Sequence, residues 1–319
     1  MKQLNLLKKI YTLLAMSLLV GGTSLGAQEA PAEPEAPAPA PSAAKVEHTF
    51  HATRVINSHS VETLKKRFLD FRISHRFGDV SGGWSTLIGF ENAADVNFTF
   101  DYGITDKLTI GVSRNKGVGE LRALVSGSAK YRILEQTEDN KMPISLTVFG
   151  QGTMSTMKKN TDTAQVTLSS FEKTAHRLIY TAQILVARKF SKHLTLQAGV
   201  AYLHRNIVNY DDVNDLIVPQ MQARVGINKK YAIILDAFFP INSKRTIGKN
   251  GWQMPLGIGF ETVTGGGHVF QINLTNSDGL SEIDFIPATQ KSWLDGGFRL
   301  GFTISRLFYF REKQVDEDF

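Results

Sequence analysis

Leu69-Asp70-Phe71-Arg72-Ile73-Ser74-His75 and Val96-Asn97-Phe98-Thr99-Phe100-Asp101-Tyr102 alternate apolar and polar residues with a period of two. The same pattern closes the chain in Phe298-Arg299-Leu300-Gly301-Phe302-Thr303-Ile304-Ser305. Successive side chains of a strand point to opposite faces, so each stretch predicts a strand with one greasy face and one polar face. Between them the pattern recurs near 67–77, 94–103, 107–115, 120–134, 143–154, 176–189, 193–205, 216–228, 231–239, 255–262, 268–276 and 297–310. Twelve such strands make an even number, as a closed antiparallel barrel from one bacterial chain requires, and most approach the nine to eleven residues needed to cross a bilayer at a tilt.

The connections alternate in length. Ile104-Thr105-Asp106, Phe190-Ser191-Lys192, Asn228-Lys229-Lys230 and Gly265-Gly266-Gly267 are tight, with 135–142 the longer member of that series. The opposite series, 78–93, 155–174, 206–215, 240–254 and 277–296, is long, and only 116–119 in it is short. Short periplasmic turns and longer extracellular loops are the expected asymmetry of a transmembrane β-barrel, and they place both termini in the periplasm.

The first residues read as an export signal. Lys2, Lys8 and Lys9 precede an apolar run from Ile10 to Val20, and small residues Ser24, Gly26 and Ala27 follow. That run is too short to span a membrane, which predicts a cleaved signal over 1–27. Residues 28–45 are dominated by Ala, Pro and Glu and predict an extended spacer. Residues 46–66 are polar without a clean period and read as a periplasmic lead-in or a lumenal plug, the barrel occupies 67–310, and 311–319 form a polar tail. The 319-residue chain has no cysteine, so burial or lipid rather than disulfides must stabilise it. Its formal charge of +6 includes the three signal lysines, and so mild an excess does not point to nucleic acid.

The polar face of the ladder carries Asp70, Arg72, Arg76, Asp101, Lys130, Arg132, Arg224, Asp236, Glu261 and Arg299 as candidate lumen-lining residues, with Asp95 and Arg122 beside them. Asn97, Gln151, Gln183, Gln197, Gln220 and Gln222 fill between. Charges inside a barrel must pair or meet water. Two readings follow: a narrow water-filled channel whose arginine excess favours anions, or a barrel closed by ion pairs. Phe77, Tyr102, Tyr131, Tyr202, Tyr231, Phe239, Phe260 and Phe308 fall near strand ends on the apolar face and form a candidate aromatic girdle at the two membrane interfaces.

The run Thr53-Arg54-Val55-Ile56-Asn57-Ser58-His59-Ser60-Val61-Glu62-Thr63, leading into Leu69 to Gly78, resembles a specific group. So do Asp101-Tyr102-Gly103-Ile104-Thr105-Asp106, Lys130-Tyr131-Arg132-Ile133-Leu134, Ala187-Arg188-Lys189-Phe190-Ser191 and Gly301-Phe302-Thr303-Ile304-Ser305-Arg306. Together they are similar to the β-barrel proteins of domain-of-unknown-function family 5777, exported by gram-negative bacteria. The resemblance implies an outer-membrane barrel over about 50–310 and gives no substrate. One departure concerns assembly. Phe308-Tyr309-Phe310 is followed by Arg311 to Asp318 before the final Phe319, whereas such barrels usually end on the aromatic residue read by the barrel-assembly machinery.

Enzymatic chemistry finds little support. A rim hydrolase would draw on His176 or His204 with Ser169 or Ser170, yet no spacing enforces contact and no Gly-x-Ser-x-Gly elbow exists. His48, His51 and His59, with Glu47, lack the tight second pair of a metal site, and Gly248-Lys249 lacks phosphate-loop spacing. The expectation is therefore a barrel without catalytic, cofactor or metal residues. Its partners are the outer-membrane bilayer, the assembly machinery and, through residues 28–66, a candidate periplasmic partner. A soluble periplasmic barrel that turns its apolar face inward stays open as an alternative, since alternation alone does not say which face is inside.

Overall fold

A computed structural model describes residues 44–91, 95–117, 120–162, 167–242 and 251–310. The predicted signal over 1–27, nearly all of the spacer and the tail over 311–319 lie outside the described residues. A small hairpin comes first, β1 (Arg54–Val55) with β2 (Ser58–His59). The barrel follows as β3 (Phe68–Asp79), β4 (Asp95–Gly103), β5 (Leu108–Lys116), β6 (Ala123–Leu134), β7 (Ser145–Ser155), β8 (Leu178–Lys189) and β9 (Leu194–Arg205). It continues through β10 (Asp215–Gly226), β11 (Tyr231–Phe238), β12 (Leu256–Val263), β13 (His268–Thr275) and β14 (Arg299–Tyr309).

Each of these twelve strands pairs antiparallel with its sequence neighbours, and β14 closes on β3 with Phe302 opposite His75 and Ile304 opposite Ile73. Every expected strand is present within three residues of its anticipated ends. Closure removes the sheet edges that would otherwise expose unpaired backbone. Register shifts between Arg132 and Leu134 and between Arg299 and Gly301 bend the wall near the ends of β6 and at the start of β14.

The orientation of the two faces is decided by exposure. Phe100, Ile110, Val112, Ile184, Val200, Ile217, Ile258, Ile272 and Ile304 project outward and stay exposed, while Asp70, Arg72, Arg76, Gln197, Gln220 and Asp236 are buried inside. A water-soluble barrel would put its apolar face in the core, so an apolar exterior around a polar interior is the arrangement that lipid selects. The soluble alternative is thereby overturned. Among the described residues no helix is long and apolar enough to cross a membrane.

Seven of the eight girdle aromatics lie partly or largely exposed: Phe77, Tyr102, Tyr131, Tyr202, Tyr231, Phe260 and Phe308. Phe239 is a correction. It sits one residue beyond β11, where its N–H bonds Pro219 O and Ile241 bridges Ile217, and it is buried. The loss of strand geometry before Pro240 folds its ring away from the belt.

The apolar belt generates a direct test. Ile184 lies at the middle of β8 and is 57% exposed. Ile184→Arg should cost about 2–4 kcal/mol of unfolding free energy in lipid vesicles, as charge at the bilayer midplane does. A change below about 0.5 kcal/mol, typical of a water-exposed site, would contradict the lipid assignment.

Candidate functional site: the lumen and its two inserts

The polar wall closes on two segments of the chain itself. Residues 46–66 hydrogen-bond to inward-facing side chains all around the barrel. Thr195 Oγ1 donates to Thr49 O at 2.9 Å, and Gln197 accepts from Val61 N and donates to His59 O, both at 2.8 Å. Thr147 Oγ1 donates to Val61 O at 2.7 Å, Leu64 N donates to Thr109 Oγ1 at 2.8 Å, and Asn57 N donates to Asp236 Oδ2 at 2.8 Å. Arg72 reaches Thr53, Gln271 reaches Arg54 O, and Lys189 reaches Glu47 O and His48 O. A single segment that touches β3, β5, β6, β7, β8, β9, β11 and β13 through their inward side chains runs inside the barrel.

Lys130 is the centre of this attachment. Its Nζ donates to three backbone carbonyls of the insert, Thr53 O at 3.0 Å, Ser60 O at 3.1 Å and Glu62 O at 3.2 Å. Beside it Arg132 pairs with Glu62 at 2.7 Å and with Glu135 at 2.9 Å. The ammonium thus has all three protons accepted, which offsets much of the cost of taking it out of water. The hairpin tip completes the fit. Ile56 adopts a φ of 53°, a strained value for a β-branched residue, and packs with Phe50, Val55 and Val61 against Leu185, Ala187 and Ile234 of the wall.

The second insert is the connection between β13 and β14, which carries the short helix α1 (Glu282–Ala288). Ile283, Phe285 and Ile286 cover an inward-facing apolar patch that includes Leu124, Ile179, Leu203, Leu216, Val218 and Phe238. Polar anchors hold its other side. Arg76 Nη1 donates to Ser277 O and Gly279 O at 3.2 Å, Leu280 N donates to Asp95 Oδ2 at 2.7 Å, and Asn115 Nδ2 donates to Asp284 Oδ2 at 3.2 Å. The inserts meet at Glu282. Its Oε1 lies 3.3 Å from Arg54 Nη1 and 3.1 Å from His59 Nε2, and its Oε2 accepts from Gln151 Nε2 at 3.1 Å. Burial disfavours the Glu282 carboxylate, but the Arg54 charge and the His59 contact outweigh it and hold its pKa at about 2. Burial holds the His59 imidazole neutral, with the Arg54 charge acting the same way.

The candidate lumen residues fall as follows. Asp70, Arg72, Arg76, Lys130, Arg132, Arg224, Asp236 and Glu261 are buried, and Asp101 and Arg299 are half-buried. Some pair along the wall, Arg72 with Asp70 and Arg224 with Glu261 at 2.8 Å, and Arg299 pairs with Asp278 at 2.8 Å on the second insert. Lys130 and Arg76 bind inserts instead. Arg122 precedes β6 and is exposed, so it leaves the set. Residues 46–66 run inside the barrel. The inward apolar patch formed no part of the expected lumen; Leu203 and Val218 share the phase of Gln197 and Gln220, and only the covering helix accounts for their apolar character.

The hydrolase residues do not assemble. His204 Nδ1 lies 2.8 Å from Asp215 and its Nε2 lies 3.2 Å from Asn206, but the hydroxyls of Ser169 and Ser170 bond Thr167. The lead-in histidines diverge too: His48 and His51 have ring centroids 5.7 Å apart, and His59 stacks near Phe149 beside Glu282.

An apolar exterior, a closed antiparallel wall and a polar lumen define an outer-membrane β-barrel. The chain belongs to the membrane bound beta barrel domain family (DUF5777), whose model matches residues 50–308. Among solved structures it is similar to the NanC porin, with a TM-score of 0.47 and 10% identity over 76% of this chain and 100% of that one. It is similar to the KdgM porin with a TM-score of 0.45 and 5% identity, over 76% and 99%. An outer membrane channel from Pseudomonas putida F1 gives 0.46 and 14%, over 78% and 98%. No curated protein matches the sequence.

Two predictions follow from the attachment. Lys130→Met leaves three insert carbonyls without their donor, so insert retention should weaken by about 2–3 kcal/mol. Trypsin cleavage at Arg54 should then accelerate by about tenfold or more, and an unchanged rate would contradict the contact. Glu282 has a folded pKa below its ordinary 4.5, so its stabilisation is present above 4.5 and lost as pH falls toward about 2. Thermal unfolding of the wild type should therefore lose stability across that window more steeply than Glu282→Gln does.

Proposed function

We propose that this protein is a passive outer-membrane channel for small solutes, closed at rest by its own N-terminal segment. The observation that carries the reading is the way Lys130 holds the insert, by three charge-assisted hydrogen bonds to backbone carbonyls. These bonds can be exchanged for water one by one. The wall beneath the insert is polar, with Thr109, Thr147, Gln197, Gln222 and Arg224 facing in, so the emptied lumen would hydrate readily. A barrel meant only to stay shut is more cheaply filled with apolar side chains.

In this reading withdrawal of 46–66 toward the periplasm opens the path. The turn-side position of the insert supports this, since Lys45 pairs with Glu135 at 2.7 Å in the connection between β6 and β7. Phe308-Tyr309-Phe310 at the end of β14 would be the element presented to the barrel-assembly machinery. The competing role of a closed anchoring barrel draws on the Arg54–Glu282 contact, which joins the two inserts across the lumen.

Planar-bilayer recordings separate the two. The full chain should show rare, small steps, and a variant lacking residues 46–64 should conduct steadily, with mean current raised about tenfold or more, as expected for a lumen that fills with water. A deletion variant that inserts with heat-modifiable mobility yet never conducts would overturn the channel reading and leave the anchoring one.

A further inference from the structure

The connection between β3 and β4 is uncharged where every other loop-side connection carries charges. From Val80 to Phe90 it reads Val-Ser-Gly-Gly-Trp-Ser-Thr-Leu-Ile-Gly-Phe, and Asp79 and Glu91 mark its ends. The β7–β8 connection holds Lys158, Lys159, Glu172 and Lys173, and the fully exposed Tyr210 between β9 and β10 is followed by Asp211 and Asp212. Those are loops made for water. In the uncharged segment Trp84 is 80% exposed and Phe90 51%, and Leu87 and Ile88 are exposed with them. Its polar groups turn back on the segment itself. Ser85 Oγ donates to Gly82 O, Thr86 Oγ1 donates to Gly83 O at 3.3 Å and accepts from Gly89 N at 3.2 Å, and Phe90 N donates to Leu87 O at 3.1 Å. A segment that enters lipid has to satisfy its own hydrogen-bonding groups, because acyl chains offer no partners.

The place of the segment on the barrel identifies what covers it. Phe77, on the outward phase of β3, has its ring 4.6 Å from that of Phe90 and 6.1 Å from that of Phe302, which faces outward on β14. The segment therefore joins the outside of the wall, not the mouth of the lumen. Val80 N donates to Phe298 O at 2.9 Å and Lys291 pairs with Asp79 at 3.2 Å, which ties it to the β13–β14 connection, where Leu294 is also exposed. We propose that Val80–Phe90 lies in the outer leaflet of the membrane, with Trp84, Leu87, Ile88 and Phe90 at the boundary between headgroups and acyl chains. An apolar surface that starts on the lipid-facing belt at Phe302 and Phe77 and continues without a charge through Phe90 to Trp84 meets the same lipid. Trp suits this depth, because its ring is apolar while its indole N–H reaches headgroups and water. The loop expected to stand in the external medium is thus an interfacial anchor, whether or not the lumen conducts.

Tryptophan fluorescence of the full chain in phosphatidylcholine vesicles tests the anchor. The chain has three tryptophans, and Trp252→Phe with Trp293→Phe leaves Trp84 as the sole emitter. Bromine near the top of the lipid acyl chains should quench that emission at least about twofold relative to unbrominated vesicles, and acrylamide in the water should quench it weakly, as for a ring at the interface. Quenching by acrylamide and not by bromolipid would place Trp84 in water and overturn the proposal. Resistance to both would put a second copy of the chain or another protein over the segment, and would overturn it equally. Trp293 Nε1 donates to Leu256 O at 3.2 Å, so the double variant is checked by heat-modifiable mobility. If that is lost, Leu87→Cys carrying a nitroxide in the otherwise cysteine-free chain gives the same answer. Its collisions with oxygen should exceed those with a water-soluble nickel chelate, and the reverse order would overturn the anchor.

Discussion

Every polar side chain that the barrel turns inward must find a partner inside, because lipid outside leaves it no alternative. The phase of each strand is fixed by its apolar face, so Asp70, Arg72, Arg76, Lys130 and Asp236 are driven into the lumen together. Left isolated there, each would cost several kcal/mol. Wall pairs such as Arg224–Glu261 satisfy some of them. Others, among them Lys130, Arg76 and Asp236, bond backbone groups of residues 46–66 and of the β13–β14 connection, whose own N–H and C=O groups need partners equally. The wall and its inserts are thus each incomplete without the other.

That mutual dependence gives the lumen three kinds of surface. Toward the turn end, threonines, glutamines and Lys130 bind the N-terminal insert by exchangeable hydrogen bonds. On the loop side, from β6 to β11, an apolar patch receives α1 and adds burial energy that water does not compete for. Between β11 and β3, Arg76 and Asp236 hold the hairpin tip at Asn57. Glu282 ties the first two surfaces together through Arg54 and His59, so movement of one insert is felt by the other.

The strands were legible because their signal is local. Alternation such as Phe98-Thr99-Phe100-Asp101 needs only the pleat and a lipid face to decide its conformation, and tight turns mark where it stops. The fate of residues 46–66 was not legible, because their partners are Gln197, Thr147 and Asp236, roughly 80 to 180 positions away, and no period records such contacts. Leu203 and Val218, on the lumen phase of Gln197 and Gln220, were silent for a related reason. An apolar side chain reads the same whether it meets lipid or a helix inside the barrel, and α1 with Pro287 gives little periodic warning of itself. Phe239 failed as a girdle residue where strand geometry ended one residue earlier than the alternation suggested.

The central claim is that residues 46–66 are bound within the lumen, and hydrogen–deuterium exchange of peptides from this segment tests it most directly. The amides of Asn57, Val61 and Leu64 each donate to a wall side chain. In the folded protein they should exchange on the timescale of the barrel strands, from minutes to hours. Complete exchange of these amides within seconds, while the strands stay protected, would place the segment in water outside the barrel and contradict the account.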